Sequence, residues 1–567
     1  MIVNLTFLKL NLHFRPLEWV RAGHKWAWVK LAAALYELGP LSAAPHREPT
    51  PKQEFIPHGT LKLRVLAGEI QLIGTTITIN NPPTLLLAPP THPLPIITAT
   101  TTTNNNNNNN NNNSNNQTTG TLDPTKFNAI LQLEDYHCGI QALDSLWSAN
   151  TNKPSIWSSP NTNHTWSNSI TTDMTPLRLP TSWSTSLSNI QLNNNNNSLY
   201  LIEGPKATGK STFSTLLINT LLNSYQQVAL LDLDPGQPIL TPPTLISLHL
   251  LQSPILGPSF CSLVSPHQPS SHSIYIGHTT PKDCPSKYLD ACSELINLYT
   301  NSQLSASLST NYKRRRPAHR TPTNQAHHNS HKRSDQIPLV INTMGWTRGL
   351  GQNILNQLIQ IIQPTHIFNF SDSPPVANIH STPLEPIGTT PLSLRITPAD
   401  SRILSILSYL YSTPSPSTHF FINQWDFQHP LWARRPFEVR PDQIMLPDHP
   451  DFDMHHLGHV LNGTLIAFVS RSQGSWIGFG LVRAIDPTRQ TMHLLTPAYP
   501  THEQNTADYQ FVKYSEPELP IVCSLSDGQV PYLEKNTLRA NSNGFSTLGS
   551  ERKRIRRNVQ RRSQISR

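Results

Sequence analysis

The order of apolar and polar positions divides this chain of 567 residues into three regions. In residues 59–98, stretches such as LKLRVLAGEIQLIGTTITI alternate apolar and polar side chains, which predicts half-buried strands of a small β-rich domain. From about residue 199 to 411, buried apolar runs alternate with helical segments, which is typical of an α/β fold with a mostly parallel sheet. From about residue 420 to 533, short alternating strands bounded by Gly and Pro predict a second β-rich domain.

Polar tracts interrupt these regions. An Asn run at 104–113 predicts a disordered loop inside the first β-rich domain, and a second run lies at 193–197. We therefore expect a poorly ordered N-terminal extension at 1–58, followed by an N-terminal β-rich domain at 59–157 with a disordered insertion at about 99–126. A linker at 158–198 leads to an α/β core at 199–412, which contains a basic disordered insertion at about 301–336. A C-terminal β-rich domain at 413–540 and a basic tail at 541–567 complete the expected organisation.

Composition and charge refine this picture. Only 37% of the residues are hydrophobic and 51 are Pro, so much of the chain is not expected to form a core. Residues 313–333 contain seven basic and no acidic residues, and residues 551–567 carry a net charge of +7. Subtracting both segments from the total of +9 leaves −5 for the rest. This argues against a broadly basic nucleic-acid surface and favours targeting or electrostatic tethering by the two segments.

Some classes of protein are disfavoured. The five cysteines form no C-x-x-C pair, which is typical of reduced intracellular thiols. No run approaches the roughly 20 apolar residues needed to span a bilayer, so no membrane association is expected. Residues 1–40 are apolar and basic like a transit segment, but Glu18, Glu37 and the scarcity of Ser weaken that interpretation.

A phosphate-binding loop is the strongest chemical signal. Residues 199–222 read as an apolar strand, a G-x-x-x-x-G-K-S loop and a helix. In such loops the backbone amides and the helix N-terminus face a phosphate chain, Lys210 reaches the β- and γ-phosphates, and Ser211 is placed to ligate Mg²⁺. The predicted nucleotide-binding residues are Gly204, Pro205, Lys206, Ala207, Thr208, Gly209, Lys210, Ser211 and Thr212.

Two acidic residues follow the next apolar strand. The segment QVALLDLDPGQP ends in Asp232 and Asp234, at the edge where parallel strands present catalytic groups. The two carboxylates would then lie beside Mg²⁺ and the γ-phosphate. The Asp-Pro-Gly sequence is also good turn chemistry, and both interpretations can hold together.

The loop does not by itself specify the reaction. A guanine-reading N-K-x-D is missing, since Asn152-Lys153 is followed by Pro-Ser and precedes the loop. The loop also differs from that of the deviant ATPases, because it lacks a doubled glycine, has Pro at position 205, and places Lys206 four residues before Lys210.

A third apolar strand leads into an aromatic loop. The segment PLVINTMGWTRGLG, residues 338–351, places Trp346 at the same edge of the predicted sheet. The indole could stack on a base. It could equally be an ordinary buried aromatic residue, and the sequence leaves this choice open.

Several of these motifs together resemble the eukaryotic polynucleotide 5′-hydroxyl kinases. The similar segments are GPKATGKST, DLDPGQP, TPPTLISLHLL, LGPSF and VINTMGWTRGLG, in this order. DLDPGQP, INTMGW and the distal HVLNGTLIAFV, GLVRAIDPTRQTMHLLTP and LPIVCSLSDGQVPYLE resemble most the nucleolar branch that acts in pre-ribosomal RNA processing. The resemblance covers roughly residues 59–97, 127–157, 199–300 and 338–535. Residues 1–40 match nothing in the family, and whether they are a genuine part of the protein stays open.

The resemblance implies roles for the phosphate-binding residues. Lys210 would contact the β- and γ-phosphates, Ser211 would ligate Mg²⁺, and Thr212 would contact an adjacent phosphate. Asp232 would hold Mg²⁺ through water and Asp234 would accept the proton of the attacking hydroxyl, although these two roles could be exchanged. Gln237 would position phosphate or substrate.

The resemblance also implies residues for the nucleic acid and for a lid. Thr343, Gly345 and Trp346 would hold the 5′ end of the nucleic acid, with Trp346 stacked on a base. The family lid carries two arginines near a helix start; Arg402 fits one and Arg395 is a looser match to the other. Ala207 stands where the family often has Gly.

The implied reaction joins ATP and a 5′-hydroxyl RNA end to give a 5′-phosphate end, with Mg²⁺ as the cofactor. The implied setting is pre-rRNA spacer processing in the nucleolus, with that branch's endoribonuclease as a partner. Two alternatives stay open: an ATP-gated, non-catalytic scaffold of an RNA-processing complex, and a kinase of the mRNA 3′-end or tRNA-processing branch.

Overall fold

A computed structural model describes the greater part of the domains expected from the sequence. Apart from strands at 2–3 and 27–32, it describes residues 54–100, 127–144, 146–147, 155–157, 165–168, 174–192, 198–265, 268, 270–314, 337–370, 379–387, 396–413, 420–431, 434–439, 444–448, 457–486, 488–497 and 508–518. The Asn-rich insertion, most of the basic insertion, the basic tail and Arg395 lie outside the described residues.

The strands in chain order are β1 (Ile2–Val3), β2 (Ala27–Ala32), β3 (Glu54–Phe55), β4 (His58–Leu72), β5 (Thr75–Thr78), β6 (Thr84–Ala88), β7 (Ile97–Ala99), β8 (Phe127–Asp135), β9 (Trp166–Ser167), β10 (Leu199–Glu203), β11 (Val228–Asp232), β12 (Leu245–Leu251), β13 (Ser271–Tyr275), β14 (Leu339–Asn342), β15 (His366–Asn369), β16 (His380–Pro383), β17 (Phe437–Val439), β18 (Ile444–Met445), β19 (Leu465–Ser470), β20 (Trp476–Asp486), β21 (Thr491–Leu495) and β22 (Tyr509–Val512). The helices are α1 (Thr181–Leu192), α2 (Lys210–Leu221), α3 (Pro285–Arg314), α4 (Leu350–Ile362), α5 (Pro398–Leu410) and α6 (Leu457–Leu461).

The central sheet carries the predicted phosphate-binding strand in its interior. Its strand order is β13-β12-β11-β14-β10-β15-β16. Strands β11, β14, β10, β15 and β16 pair in parallel, whereas β12 and β13 continue the sheet antiparallel. The expected α/β architecture with a mostly parallel sheet is therefore present. The carboxyl ends of β10, β11 and β14 meet at one edge, where all the candidate loops emerge.

Helices cover both faces of this sheet, which explains why its central strands β10, β11 and β14 are buried along nearly their whole length. On one face, Ile202, Val340 and Phe368 pack with α1 and α2. On the other face, Leu201 and Ile341 pack with α3 and α4. Neighbouring residues of one strand thus enter two separate cores, as the two-residue period of a strand requires.

The N-terminal sheet is built around the long strand β4. This strand pairs antiparallel with β5, β6, β7, β8 and β9, so one strand joins most of the sheet. Alternate residues such as Leu61, Leu63 and Val65 are buried in one apolar core, in agreement with the alternating sequence pattern. Strand β8 also pairs with β2, which belongs to the segment expected to be a poorly ordered extension. An edge strand has unpaired backbone groups available for such an addition.

The C-terminal sheet has the order β17-β21-β20-β19-β22-β18. One of its faces, including Ile466 and Phe468, has its own small core. The opposite face, including Leu465 and Phe479, packs against α5 in a core that also contains Trp147 from the N-terminal part of the chain. Helix α5 therefore joins regions that the sequence divided at residue 412.

Two segments differ from their expected lack of structure. The expected linker at 158–198 contains α1, whose Trp183 is fully buried against Phe213 and Phe370. The expected disordered insertion at 301–336 begins as a continuation of α3 to Arg314. No Pro or Gly interrupts residues 286–316, so nothing in the local sequence ends the helix earlier. Within the described residues, no helix is long and apolar enough to cross a membrane.

Candidate active site

The phosphate-binding loop connects β10 to α2, as the sequence predicted. Gly209 precedes the first helical residue with φ of +103°, a conformation that favours glycine. No side chain caps the N-terminus of α2 at this residue. The first amides of the helix thus lack a side-chain acceptor at the cap, and helix N-termini of this kind bind anions. Ala207 adopts φ of +62°, which costs a non-glycine residue about 1 kcal/mol.

Trp183, a residue that sequence analysis did not identify, packs against the phosphate-binding loop. A Cβ on Gly209 would lie 2.8 Å from the Trp183 ring and 2.9 Å from the side chain of Ile387. The indole N–H donates to the carbonyl of Glu385 at 2.8 Å, and the N–H of Ile387 donates to the carbonyl of Thr208 at 3.2 Å. The indole and residues 385–387 therefore hold the phosphate-binding loop in place through these contacts.

Lys210 is buried at the start of α2. Its ammonium donates to the carbonyl of Pro205 at 2.8 Å, across the loop. Burial lowers the pKa of Lys210 to about 8, the negative charge of Asp234 opposes this shift, and Lys206 adds to it. The ammonium of Lys210 is therefore close enough to Asp234 for the two charges to interact. Ser211 and Thr212 follow in the first turn and are half-buried.

Asp232 ends β11 and is completely buried. Its carboxylate accepts hydrogen bonds from the side-chain amide of Asn342 at 2.9 Å, from the N–H of Ile239 at 2.6 Å and from the N–H of Asp234 at 3.3 Å. Burial raises the pKa of Asp232 to about 7, and these donors offset part of the shift. The carboxylate thus fixes the loop that follows the strand.

Asp234 is only partly buried and organises a tight turn. Its carboxylate accepts from the N–H of Gly236 at 2.9 Å and from the N–H of Gln237 at 3.2 Å. Burial raises the pKa of Asp234, whereas Lys210 and Lys206 oppose the shift. Gln237 is exposed beside it. The turn interpretation and the acidic-pair interpretation of this segment are therefore compatible.

Asn342 is a second residue that sequence analysis missed. It is fully buried, and its side chain contacts both Asp232 and the hydroxyl of Ser214, which lies 3.4 Å from the Asn342 carbonyl oxygen. The hydroxyl of Ser214 also donates to the carbonyl of Lys210 at 2.9 Å. A polar residue that ends an otherwise apolar strand was the available signal.

The loop after β14 contains the three residues expected to hold the nucleic acid. The hydroxyl of Thr343 is buried and donates to the carbonyl of Ile202 at 2.7 Å, so this side chain fastens the loop to the neighbouring strand. Gly345 lies against the phosphate-binding loop, where an added Cβ would be 2.6 Å from the side chain of Lys206. Trp346 is half-buried beside the apolar core that includes α4.

Arg402, the expected lid residue, lies on α5. The helix begins with a reciprocal pair of hydrogen bonds between Thr397 and Asp400, and Arg402 follows half-buried. Among the residues described here, no hydrogen bond or ion pair joins Arg402 to residues 204–212. The site therefore brings together Lys210, Asp232 and Asp234, and the structure provides no contact of Arg402 with them.

The arrangement fits a nucleotide and a divalent cation. The uncapped N-terminus of α2 and the lysine beside it suit a phosphate chain. The hydroxyl of Ser211 and the carboxylates supply the oxygen ligands that Mg²⁺ prefers. Because Asp232 is fully buried and already accepts three hydrogen bonds, it suits an indirect contact through water better than direct ligation.

Comparison with known proteins agrees with this site. The family model described as the mRNA cleavage and polyadenylation factor CLP1 P-loop matches residues 204–312 and 320–393. The polynucleotide 5′-hydroxyl-kinase GRC3 of Cryptococcus neoformans is 25% identical over 594 aligned positions, covering 89% of this chain and 74% of that protein. The chain is thus similar to polynucleotide 5′-hydroxyl kinases, and about a third of it matches the CLP1 P-loop model.

Other relatives in this kinase family cover less of their own length. Polynucleotide 5′-hydroxyl-kinase grc3 of Schizosaccharomyces pombe is 26% identical, and the alignment covers 68% of this chain and 58% of that protein. Polynucleotide 5′-hydroxyl-kinase NOL9 of Homo sapiens is 24% identical, and the alignment covers 59% of this chain and 51% of that protein. Within the kinase family, the similarity is thus to the GRC3 and NOL9 branch.

Proposed function

We propose that this protein is an ATP-dependent polynucleotide 5′-hydroxyl kinase that phosphorylates 5′-OH ends of RNA during pre-rRNA spacer processing. The observation that carries the proposal is the convergence of Lys210, Asp232 and Asp234 at the carboxyl edge of three adjacent strands. The names of the relatives support the same activity.

The reaction needs a base beside a phosphate-binding group. The 5′-hydroxyl oxygen forms a bond to the γ-phosphorus of ATP while the bond from that phosphorus to the β,γ-bridging oxygen breaks, which releases ADP. The hydroxyl proton passes to the carboxylate of Asp234. Partial exposure and the electrostatic contact with Lys210 favour Asp234 over the fully buried Asp232 for this role.

The remaining residues bind and orient. Lys210 and the first amides of α2 hold the phosphate chain, with Thr212 and Gln237 beside it. Ser211 and, through water, Asp232 would hold Mg²⁺, which neutralises phosphate charge when bound. Asp232 positions the loop of Asp234 through its hydrogen bonds. Arg402 would reach the transferred phosphoryl group only if α5 or the substrate brings the two together.

The nucleic acid would bind beside the loop after β14. Gly345 lies against Lys206, so the phosphate-binding loop and this second loop form one surface. Trp346 would stack on the terminal base, and Thr343 would act by fixing the loop rather than by direct contact. We place the protein in the nucleus and nucleolus, with an endoribonuclease that produces 5′-OH ends as its partner.

The decisive experiment is a kinase assay on the full-length protein. Matched RNA and DNA oligonucleotides with 5′-OH ends are incubated with γ-labelled ATP and Mg²⁺, and the same oligonucleotides with a 5′-phosphate serve as controls. We expect label only on the 5′-OH ends. Nucleotide binding without any transfer would instead identify a scaffold. Co-purification of polyadenylation factors rather than an endoribonuclease would favour the mRNA 3′-end branch.

The two basic segments, residues 313–333 and 551–567, are proposed to act as a nuclear address or as a tether for long RNA. A variant that lacks both should keep its activity on short oligonucleotides. It should accumulate less in the nucleus or lose salt-sensitive binding to long RNA. Normal localisation with an unchanged salt dependence would exclude both roles.

A further inference from the structure

A series of contacts joins the C-terminal sheet to the loop that carries Asp234. It begins at Glu516, which follows β22. The carboxylate of Glu516 accepts a hydrogen bond from the backbone N–H of Thr279, and its backbone carbonyl accepts one from the hydroxyl of Tyr275 at 2.6 Å. Glu516 and Thr279 are 237 positions apart in the sequence, so this contact ties two distant parts of the chain together.

A second contact holds the same turn, residues 276–279. The ammonium of Lys287 donates to the carbonyl of Ile276 at 3.0 Å and to the hydroxyl of Tyr514, and it lies 3.9 Å from the centre of the Tyr514 ring. The backbone of Gly277 approaches that ring so closely that an added Cβ would be 2.2 Å from it. Tyr514 and Glu516 therefore fix the turn from the side of the C-terminal sheet.

The opposite side of this turn touches the Asp234 loop at two points. An added Cβ on Gly236 would lie 2.8 Å from the carbonyl oxygen of Thr279, so the two backbones are in direct contact. Thr244 makes the second connection: its carbonyl accepts from the N–H of Ile276 at 3.0 Å, and its own N–H donates to the carbonyl of Pro235 at 2.7 Å.

The conformation of Thr244 indicates that its surroundings impose its position. This residue is fully buried and has φ of +78°, which is uncommon for a β-branched side chain. Strained backbone of this kind persists where the surrounding contacts determine it, and it is frequent at functional sites. The turn at 276–279 and the Asp234 loop are thus rigidly connected through Thr244.

We propose that Glu516 is a positioning residue for the phosphoryl transfer. Through Thr279 it holds Gly236 in place, and the N–H of Gly236 in turn orients the carboxylate of Asp234. Pro235 is held from the same turn through Ile276 and Thr244. The C-terminal sheet thereby takes part in building the active site. This inference rests on the proposed kinase function, because it assigns Glu516 an effect on the base of that reaction.

The test compares two carboxylates of the C-terminal sheet in the full-length protein. Glu516→Ala removes the acceptor for Thr279, whereas Glu516→Gln keeps an oxygen that can accept the same hydrogen bond. Asp508→Ala is the control, since the Asp508 carboxylate is likewise a hydrogen-bond acceptor, but its three donors belong to Ser470 and Ser472 within its own sheet. For each variant we measure kcat, the KM for ATP, the melting temperature and amide hydrogen exchange in residues 233–239.

Misplacement of the base should lower kcat in Glu516→Ala by about tenfold while the KM for ATP changes less than about twofold. Amide exchange at Gly236 and Gln237 should become faster in this variant. Glu516→Gln should recover most of the activity, and Asp508→Ala should change neither kcat nor exchange in the loop. If Glu516→Ala does not fold, Tyr275→Phe, which loses only the hydroxyl bonded to the Glu516 carbonyl, should change kcat and exchange in the same direction.

Two results would overturn the inference. One is an equal kcat for the Glu516→Ala and Asp508→Ala variants, and the other is unchanged amide exchange at Gly236 and Gln237. A wild-type protein that transfers no phosphate to any 5′-OH end would refute the proposed function instead. The exchange comparison would in that case still decide whether Glu516 holds the loop.

Discussion

Asn342 lies directly opposite Asp232 in the parallel register of β11 and β14, and its side-chain amide donates to the Asp232 carboxylate at 2.9 Å. The same asparagine pairs in register with Ile202 of β10, the strand that leads into the phosphate-binding loop. A buried polar contact between strand ends thus joins the two loops on which phosphoryl transfer depends. Its removal should affect both stability and the charge of the carboxylate.

Asn342→Leu should lower the free energy of unfolding by roughly 1–3 kcal/mol, because the buried Asp232 carboxylate loses a donor. The pKa of Asp232 should rise further, since that donor favours the charged form. Urea unfolding measures the first effect, and the pH profile of that stability measures the second, because it shifts to higher pH with the pKa of Asp232. Asn356→Leu, an exposed change on α4, is the control. Unchanged stability and an unchanged profile in Asn342→Leu would contradict the prediction.

The stability of the protein should depend on pH through Asp232. Its pKa is raised from 3.8 to about 7 in the folded state. Between these values the folded protein holds a proton that the unfolded chain has released, so the free energy of unfolding falls as the pH rises from about 4 to about 7. Through this titration, Asp232 changes the free energy of unfolding by on the order of 3–4 kcal/mol at most.

Denaturant unfolding at several pH values in the absence of nucleotide measures this dependence. Asp232→Asn, which cannot titrate, should show a smaller decrease in stability over the same range. Groups that do not interact with Asp232 contribute equally to both proteins, so the difference between the two curves reports Asp232 and its coupling to Asp234. Parallel curves would show that Asp232 titrates near its ordinary value.

The sequence predicted those parts of the site whose signals lie within short segments of the chain. The apolar runs of β10, β11 and β14, the glycines of the loop and the acidic ends of the strands are readable because each signal lies within a few residues. Asn342 is not recognisable in the sequence, because its role depends on strand register, which places it beside Asp232 across 110 positions of sequence. Thr343 was expected to contact nucleic acid, but its hydroxyl is used by the carbonyl of Ile202.

The packing of Trp183 against the phosphate-binding loop was not predictable for a related reason. Trp183 lies in a polar segment without clear periodicity, a pattern that is typical of a linker. Its contacts are with Gly209, Phe370 and Glu385, all distant in sequence. The formation of α1 and the contacts of Trp183 therefore depend on tertiary packing, which the local sequence does not reveal.

Trp183→Ala should destabilise the protein by about 3–5 kcal/mol, because it leaves a cavity beneath the phosphate-binding loop. Nucleotide affinity should fall as well, since the loop loses its support. Trp183→Phe retains a ring but loses the N–H bonded to Glu385, and should cost about 1–2 kcal/mol. Trp476→Ala, at a half-buried tryptophan of the C-terminal sheet, is the control. Equal losses of nucleotide affinity in both Ala variants would exclude a specific role for Trp183.

Lys210→Ala should leave folding nearly intact, because the variant loses one hydrogen bond but no longer buries an ammonium group. Phosphorylation of 5′-OH ends should fall at least a hundredfold, about 3 kcal/mol of transition-state stabilisation. Lys206→Ala, which removes an exposed lysine of the same loop, should cause a smaller loss. Activity of Lys210→Ala close to that of the wild type would rule out the ATP-kinase mechanism.

Two roles are open for Trp346, stacking on a base and packing in the core, and they predict different effects of substitution. The indole is half-buried, and an added Cβ on Gly351 would lie 2.3 Å from the carbonyl oxygen of Trp346 and 2.5 Å from its ring. If Trp346 stacks on a base, Trp346→Ala should weaken oligonucleotide binding by roughly 1–3 kcal/mol and leave nucleotide binding nearly unchanged. Trp346→Phe should retain most of the affinity, because a flat aromatic face remains.

Gly351→Ala provides an independent variant that keeps the indole but displaces both the ring and the backbone of Trp346. It should weaken oligonucleotide binding in the same direction as Trp346→Ala, because stacking needs the ring in one orientation. Fluorescence titration with a 5′-OH oligonucleotide and with ATP, together with a thermal melt, separates the two roles of Trp346. If Trp346→Ala melts early and loses both ligands equally, the indole serves the core. A selective loss of the oligonucleotide in both variants requires that the ring face the nucleic acid.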